Sequence, residues 1–315
     1  MRNVFSLLLA AGLSASMFAQ ADSLVYNSFG KVVDEPKDTA WKVGGNFGLQ
    51  FTQSSYSNWQ AGGVNSVAGN SMLSIFANYD NGSKWTWQNR LVLAYGMNFQ
   101  DTVYNKTDDR IEFESRIDRE VSKNWNMSGL VNFRTQFSNG YANPGEEGDS
   151  VRISTFLAPA YLLVGLGATY KPNERLSAFI SPATMKMTIV NDQRLSNMGA
   201  YGVDTGKLSR YEIGGYANIR YKAPLITNID FQANLDLFSN YLDGQYKNID
   251  VNGEFILFMK VNKYITANLS VNVIYDNDIL IDVDEDGIVD GPRTQVKEVL
   301  GVGFAYNFGY QPKKK

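Results

Sequence analysis

The sequence contains no histidine and no cysteine. Without histidine, an imidazole base, a Ser-His or Cys-His nucleophile pair and a histidine metal site are excluded. Without cysteine, a disulfide, a thiolate nucleophile, a zinc ribbon, an iron–sulfur cluster and a lipid attached to an N-terminal cysteine are excluded as well. We therefore predict that the chain is not an enzyme; a hydrolase that uses carboxylates alone is the one class that the composition leaves open.

A strong charge of either sign is also missing. The chain of 315 residues has 29 Lys and Arg against 32 Asp and Glu, which gives a net charge of −3. Because no basic block occurs, we predict no nucleic-acid partner. A disordered chain is excluded by the hydrophobic content of 44%, which is too high for a segment that does not fold.

Long apolar runs are missing too, and a short run follows Arg2 at the N-terminus. It extends from Val4 to Leu13 and is followed by the sequence AQA at 19–21. A positive start, a short apolar run and an A-x-A site are typical of a secretory signal peptide. We predict that residues 1–21 are removed, with cleavage two residues earlier as the near alternative. An N-terminal membrane helix is disfavoured because the run is shorter than the ~20 residues that a spanning helix needs.

The remaining chain alternates between apolar and polar residues. In Asn228–Leu237, every odd position is apolar and every even position is polar. This period of two indicates strands, because successive side chains of a strand point to opposite faces. Pro182 interrupts the seventh segment, where the phase slips, and predicts a β-bulge. The Gly-x-Gly sequences at 165–167 and 301–303 lie inside strands with no helix after them, so they are not phosphate loops. We count twelve segments, near 41–53, 69–80, 84–99, 107–121, 124–138, 158–170, 175–190, 209–222, 226–239, 247–261, 264–276 and 295–308.

The connections between these segments alternate between short and long. Tight turns at one end and large loops at the other are typical of outer-membrane barrels, whereas a soluble sandwich has no physical reason to sort its loops. We predict an all-β fold, a single antiparallel transmembrane β-barrel of about twelve strands after a cleaved signal peptide. The barrel would occupy 41–308, between a short periplasmic segment at 22–40 and a basic tail at 309–315. The short turns are predicted at 81–83, 122–123, 171–174, 223–225 and 262–263, and the longer loops at 54–68, 100–106, 139–157, 191–208, 240–246 and 277–294.

The alternation alone does not say which face of the sheet meets lipid. The signal peptide, the sorted loops and aromatic residues at both strand ends favour an apolar face turned toward hydrocarbon and a polar interior. The alternative is a soluble secreted β-protein with its faces reversed. We predict the outer membrane of a Gram-negative bacterium, with outer-membrane lipid around the barrel. The aromatic residues expected near the outer interface are Phe51, Phe99, Phe137, Phe238, Tyr241 and Tyr275.

The fourth strand has a ladder of ionisable residues along its inward phase. Together with arginines of neighbouring strands, this ladder is the predicted lining of the lumen. It could line a pore and set its selectivity. It could instead form an internal salt-bridge network that fills and stiffens the barrel, and both interpretations stay open. The predicted lumen-lining residues are Arg90, Arg110, Glu112, Glu114, Arg116, Asp118 and Arg134.

The loop between the first two strands is a candidate mouth loop. Paired glycines permit positive φ angles, and a tryptophan brings a large ring into a polar loop. These features are compatible with a loop that folds into the barrel mouth and constricts it, or with an ordinary packed outer loop. The candidate residues are Trp59, Gly62, Gly63 and Asn65.

The loop at 282–290 has the spacing of a calcium-binding loop. Carboxylates stand at its positions 1, 3, 5 and 9, Gly287 at the turn position 6, and a carbonyl donor at position 7. Position 12 is Arg293 rather than a bidentate glutamate, so the pattern is not a full EF-hand, and an acidic solvated loop is the equal alternative. No cofactor is required, and calcium is the candidate. The candidate ligands are Asp282, Asp284, Asp286, Ile288 and Asp290.

Three segments carry a resemblance to a known family: FTQS from Phe51, SNWQAGGVNS at 57–66 and the last strand at 295–308. With these segments the sequence resembles an uncharacterised β-barrel family, a domain of unknown function that is common in the outer membranes of Bacteroidota. The resemblance extends over nearly all of the mature chain. It implies a porin-like outer-membrane barrel and no particular substrate, because the function of the family is not established.

Three functions are compatible with such a barrel. A narrow passive channel for a small solute would use the polar lumen, and this is the function we predict. A closed structural or interaction barrel would present its loops to an extracellular partner, one loop being ordered by calcium. A membrane enzyme such as an outer-membrane phospholipase also uses twelve strands, but it resembles a serine hydrolase and needs the histidine base that this chain lacks. The sequence does not indicate the solute, the partner or the oligomeric state.

Overall fold

The structure, a computed structural model, describes residues 40–55, 65–100, 103–142, 151–242, 247–262, 264–277, 280–281 and 291–309. Within these residues, twelve strands form one closed barrel in which neighbours pair antiparallel. The predicted all-β fold and antiparallel barrel are therefore confirmed. The predicted signal peptide and nearly all of the segments at 22–40 and 309–315 lie outside the described residues.

The described residues contain sixteen strands, the short α-helix α1 (Gln193–Asn197) and a 3₁₀ turn (Ala200–Gly202). The strands are β1 (Trp41–Ser54), β2 (Ser66–Asp80), β3 (Trp85–Gln100), β4 (Val103–Ser122), β5 (Trp125–Thr135), β6 (Gly140–Ala142), β7 (Val151–Ser154), β8 (Ala160–Tyr170), β9 (Leu176–Ile189), β10 (Ser209–Ile226), β11 (Ile229–Asn240), β12 (Ile249–Lys260), β13 (Ile265–Tyr275), β14 (Leu280–Ile281), β15 (Gly291–Pro292) and β16 (Gln295–Gly309). The barrel order is β1-β2-β3-β4-β5-β8-β9-β10-β11-β12-β13-β16, and β16 closes onto β1. The pairs β6–β7 and β14–β15 are small sheets outside the barrel.

Each of the twelve predicted segments overlaps one barrel strand. Short turns join β2 to β3, β4 to β5, β8 to β9, β10 to β11 and β12 to β13, at what we call the short-turn end. The opposite end, the long-loop end, has the connections from β5 to β8, β9 to β10 and β13 to β16. The expected loop at 100–106 is nearly absent, because β4 begins at Val103 and pairs with β3 from its first residue. The barrel runs from Trp41 to Gly309, one residue past the predicted end.

The turn between β10 and β11 differs from its predicted position. We expected it at 223–225, where the sequence contains Pro224. The strand instead continues through the proline, and the turn falls at Thr227 and Asn228, with Asn228 at φ 65°. A register shift beside Pro224 explains this result, because proline has no N–H for the ladder and is tolerated at a bulge.

The predicted bulge at Pro182 is confirmed. The register of β9 is interrupted there against both of its neighbours, β8 and β10. Hydroxyl groups replace ladder bonds at this point: Ser181 Oγ donates to the Leu166 carbonyl at 2.9 Å, and Thr184 Oγ1 donates to Ser181 Oγ at 2.7 Å. Hydroxyl groups of β9 itself therefore take the place of missing ladder bonds and stabilise the bulge.

The outer face of the barrel is apolar and the inner face largely polar. On β16, Leu300, Val302 and Phe304 point outward and are exposed, whereas the alternating Asn307 is buried. The same alternation holds for β4, where Ile117 is exposed while the flanking charged residues are buried. A barrel that is folded for water would place these two classes of side chain the other way round.

Aromatic rings gather at the short-turn end of the outer face. The ring centroids of Trp41 and Tyr79 lie 5.3 Å apart, and those of Trp125 and Tyr170 lie 4.9 Å apart. Phe238 does not fit the belt expected at the opposite end. It is buried inside the barrel, where Lys186 Nζ lies 4.8 Å from the centre of its ring. The reason is its phase, since even positions of β11 face inward.

Part of the interior is filled by apolar side chains, which the alternation on single strands does not predict. One cluster combines residues of β2, β3, β12 and β16. Around the barrel, β12 is separated from β2 by β13, β16 and β1, so the ring of Phe258 reaches across the interior to join this cluster. The cluster members are Met72, Val92, Ala94, Phe258 and Ala305.

A small cap folds over the long-loop end from the segments around β7 and α1. Tyr201 packs against its apolar core, and the Tyr201 hydroxyl donates to the Ile153 carbonyl. Burial raises the pKa of the Tyr201 phenol above its usual value. In the part of the chain that the structure describes, no helix is long and apolar enough to cross a membrane. The core of the cap consists of Ala158, Val190, Leu195 and Val203.

Asp192 ties the two segments of the cap together, and its removal is expected to loosen them. Its carboxylate accepts a bond from the Leu195 N–H at 3.0 Å, which caps α1, and it forms an ion pair with Arg152. We expect Asp192→Ala to destabilise the cap by about 1 kcal/mol, measured as faster amide hydrogen exchange in 190–208. Asp192→Asn keeps the capping bond without the ion pair and is expected to exchange more slowly than the alanine variant. Exchange equal to that of the parent in both variants would contradict this role.

Candidate functional site

The candidate site lies inside the barrel, where the seven residues predicted to line the lumen all point. Arg110, Glu112, Arg116 and Asp118 are buried, and Arg90, Glu114 and Arg134 are mostly buried. They alternate along β3, β4 and β5 with outward apolar residues, so the strand period alone brings them to one wall. The structure adds partners from more distant strands, as the following contacts show.

Glu114 lies at the centre of an ion-pair bridge across the lumen. Its Oε2 is 2.7 Å from Arg220 Nη2 and 3.6 Å from Arg90 Nη2. Arg90 is on the adjacent strand β3, but Arg220 is on β10, which β5, β8 and β9 separate from β4 around the barrel. The contact between Glu114 and Arg220 is therefore a chord through the interior. We call Arg90, Glu114 and Arg220 the constriction.

Glu112 forms a second group of contacts one inward position away. Its Oε1 lies 3.1 Å from Arg134 Nε and accepts a bond from Asn132 Nδ2 at 3.0 Å. Its Oε2 lies 4.0 Å from Arg110 Nη1. Two carboxylates and four guanidinium groups thus meet at mid-height in the barrel. Buried charges of this kind are held by pairing, because an unpaired ion would be strongly destabilised.

Nearer the short-turn end, the polar contacts follow the wall rather than crossing the lumen. Arg116 Nη2 donates to Gln88 Oε1 at 3.0 Å, and Arg116 Nε donates to Asp118 Oδ2 at 3.1 Å. Ser128 Oγ donates to Asp118 Oδ1 at 2.6 Å and lies 2.6 Å from Thr169 Oγ1. This chain of bonds joins β3, β4, β5 and β8 and stiffens that side of the barrel.

Nearer the long-loop end, a second ionic cluster contains residues that the sequence analysis did not single out. Lys186 Nζ lies 3.4 Å from Glu212 Oε2 and 3.3 Å from Asp250 Oδ2. Arg210 Nη2 lies 3.2 Å from Glu212 Oε1. The signal available in the sequence was the inward phase of each residue. It was missed because the charges are scattered over β9, β10 and β12 instead of forming a ladder on one strand.

The exposure of inward side chains differs between parts of the interior. The side chains of Arg134, Lys186, Asp250 and Arg220 are 24%, 24%, 25% and 34% exposed, although all four lie inside the barrel. By contrast, the apolar cluster around Phe258, which lies near the short-turn end of β12, is at most 5% exposed. The partly exposed charges are thus off-centre and lie on β5, β9, β10 and the long-loop end of β12.

The two predicted loop sites fall largely outside the described residues. Trp59, Gly62 and Gly63 of the mouth loop are not described, and Asn65 is exposed just before β2. The candidate calcium ligands at 282–290 are also outside the described residues, so calcium binding stays a prediction. Among the residues that are described, no group of three or more acidic side chains could hold a metal ion.

One protein family matches part of the chain. The family described as "Protein of unknown function (DUF3078)" matches residues 51–141. This range includes the long-loop end of β1, all of β2 to β5 and the first two residues of β6. The match supports the resemblance to a domain of unknown function over this part, and it ends well before the last strand, where the resemblance was expected to continue. No curated protein sequence matches the chain at a significant level.

Solved structures of several outer-membrane barrels are similar to this chain at low identity. The translocator domain of the autotransporter NalP from Neisseria meningitidis is 12% identical, with 87% of this chain and 90% of that chain covered and a TM-score of 0.41. An outer-membrane channel from Pseudomonas putida F1 is 9% identical, with 87% and 97% covered and a TM-score of 0.40. Outer membrane phospholipase A from Escherichia coli is 11% identical, with 91% and 97% covered and a TM-score of 0.33.

Proposed function

We propose that the chain is an outer-membrane β-barrel that provides a narrow passage for small solutes. The proposal of a membrane setting is supported by the outer face, whose exposed side chains are predominantly apolar along the strands. A closed sheet also satisfies its backbone groups internally, as hydrocarbon requires. The aromatic rings at the short-turn end would lie at the periplasmic interface, where amphipathic rings are preferred.

The passage is supported chiefly by the water-accessible charges inside the barrel. Arg134, Lys186, Arg220 and Asp250 come from four strands and line the off-centre part of the lumen. Because charges of both signs line this space, a small ion or a polar solute suits it better than an apolar molecule does. The constriction would limit size because its ion pairs cross the lumen, and its charges would set selectivity.

A second candidate function is a closed barrel that presents its outer loops to a partner. It is favoured by the cluster of Met72, Val92, Ala94, Phe258 and Ala305, which fills part of the lumen. In this case the interior would serve stability, and the cap around α1 would be part of the presented surface. A histidine-dependent hydrolase is disfavoured as a third function, because the chain contains no histidine to act as the base.

Single-channel recording distinguishes the first two functions. The refolded mature protein would be inserted into a planar lipid bilayer, after its heat-modifiable gel mobility has shown a folded barrel. We expect discrete steps that are small compared with those of a sixteen-stranded porin, since the passage is narrower. Recordings with calcium, and with magnesium as the control, would test whether the loop at 282–290 acts at the mouth. A folded barrel without steps in any condition would contradict the channel and favour the closed barrel.

A further inference from the structure

The seam between the first and the last strand is paired over only part of its length. The register of β1 and β16 ends where Gln50 lies opposite Gly303. Beyond this point, Phe51–Ser54 stays paired with β2, and Gln295–Val302 stays paired with β13. In the described residues, no pairing joins these two segments to each other. By contrast, the ladder between β1 and β2 continues to the last residue of β1.

Unpaired strand edges have a clear physical meaning in a membrane barrel. Backbone N–H and C=O groups that face hydrocarbon without a partner are strongly disfavoured. At membrane depth they are tolerated where they are buried in protein or line a water-filled cavity. The unpaired part of this seam, where Phe51–Ser54 lies opposite Val299–Val302, therefore indicates an opening into the lumen rather than a continuous wall.

Beside this opening, the inner face of β16 carries two glycines, and side chains of the neighbouring strands cover it. Gly301 and Gly303 face inward on β16, and a Cβ at Gly303 would lie 2.5 Å from the Leu49 carbonyl oxygen. Across these glycines, Gln50 Nε2 donates to Asn268 Oδ1 at 3.0 Å. A Cβ at Gly301 would lie 2.9 Å from both of these amide atoms. The amide pair thus spans the last strand from β1 to β13, just where the strand pairing stops.

The side chains at the outer rim of the opening suit an acyl chain. Phe51, Leu300 and Val302 are 61%, 68% and 56% exposed and belong to the apolar face. Just inside the opening, the exposed Thr52 offers a hydroxyl group, next to the bonded amide pair of Gln50 and Asn268. An amphipathic molecule would therefore find apolar surface outside and polar groups within.

We propose that the seam between β1 and β16 is a lateral opening that admits the acyl chain of a membrane lipid into the lumen. The proposal rests on the membrane setting of the proposed function. The ion pairs of Arg90, Glu114 and Arg220 cross the lumen, so the side of the barrel is the more direct route for a long amphiphile. The amide pair of Gln50 and Asn268 holds the strands together at the inner limit of the opening.

Photo-crosslinking to lipid tests the opening in the full mature protein. The photoreactive residue benzoylphenylalanine would replace Thr52, and the protein would be refolded in phosphatidylcholine vesicles and illuminated. Asn98 is the matched control, because it lies inward in the same row, one strand beyond Ala68, and is paired on both sides. Phe51 is the positive control, since it faces lipid. We expect lipid adducts at positions 51 and 52, with at least fivefold less at position 98.

The outcomes separate the two proposals. Adducts at position 51 with none at position 52 would overturn the opening and leave the membrane setting intact. An absence of adducts at position 51 would overturn the membrane setting, and the opening with it. A protein–protein adduct at position 52 would overturn the proposal that lipid occupies the opening. It would indicate instead that a strand of a second copy lies there.

Hydrogen exchange on the unsubstituted protein in the same vesicles tests the opening without any substitution, so the result does not depend on whether a variant folds. If the seam is open, amides of Val299–Val302 that point toward β1 exchange at least tenfold faster than those of Gly303–Gly309. Equal protection of the two halves would overturn the opening.

Discussion

Replacing Glu114 by glutamine is expected to shift the lumen toward anions and to raise its conductance. Glu114 is the carboxylate that holds Arg220 at 2.7 Å and Arg90 at 3.6 Å. A neutral amide leaves the two guanidinium groups to repel each other, and the side chain of Arg220, on the far side of the chord, is free to move toward its own wall. The bridge that crosses the lumen would then open.

The size of this effect follows from Coulomb's law. At about 10 Å and an effective dielectric constant of about 20, one unit charge changes the energy of a permeating monovalent ion by about 1.7 kcal/mol. Salt in the recording solution screens part of this interaction. We therefore expect the permeability ratio of chloride to potassium to rise about threefold to tenfold.

The measurement is the reversal potential under a salt gradient in a planar bilayer. Glu120→Gln is the matched control, because Glu120 is on the same strand and in the same phase but is exposed near the short-turn end. Its effect on selectivity is expected to be small. If both variants keep the reversal potential of the parent, the constriction does not control permeation.

Replacing Gly167 by alanine is expected to destabilise the barrel strongly, because the added methyl group has no space. Gly167 lies on β8 beside the bulge of β9, and a Cβ there would be 2.0 Å from the Ile180 carbonyl oxygen. It would also be 2.7 Å from the Ser181 Cα. Both neighbours are backbone atoms of a strand that is paired on its other side, so neither can rotate away as a side chain could.

The expected destabilisation is about 3 kcal/mol, at the upper end of what overpacking usually produces. It would be measured as the urea midpoint of unfolding in detergent micelles, with the fluorescence of the five tryptophans as the signal. Gly69→Ala is the control, because a Cβ at that position meets a single atom, the Gln50 carbonyl oxygen, at 3.9 Å. Its midpoint is expected to stay close to that of the parent. Equal midpoints for the two variants would show that β9 can yield at the bulge.

The strands and their apolar faces could be predicted from the sequence because each depends on residues that are close together in the chain. The alternation in Asn228–Leu237 predicted β11, and the break at Pro182 predicted the bulge in β9. The wrong turn at 223–225 came from treating Pro224 as the end of a strand. A bulge in the ladder to β11 accommodates it instead, and a bulge depends on the partner strand. Phe238 was misplaced for a simpler reason, since its even position already put it inside.

The lumen was predictable only in part. The ladder on β4 was visible because its charges share one strand and one phase. The partners that decide its role were not, because Arg220 is 106 residues from Glu114 in the chain and meets it by a chord across the barrel. The apolar filling by Phe258 was hidden for the same reason.

By itself, the sequence determined the all-β class, the number of barrel strands, the side of each strand that is apolar, and the order of short and long connections except between β3 and β4. These properties follow from the period of side chains along a strand and from turn chemistry, which act over a few residues. Only the tertiary structure decided that Arg90, Glu114 and Arg220 meet, that the partly exposed charges lie off-centre in the lumen, and that the seam beyond Gln50 and Gly303 is unpaired. Those features depend on how closing a sheet brings distant strands together, and no local pattern of residues encodes that distance.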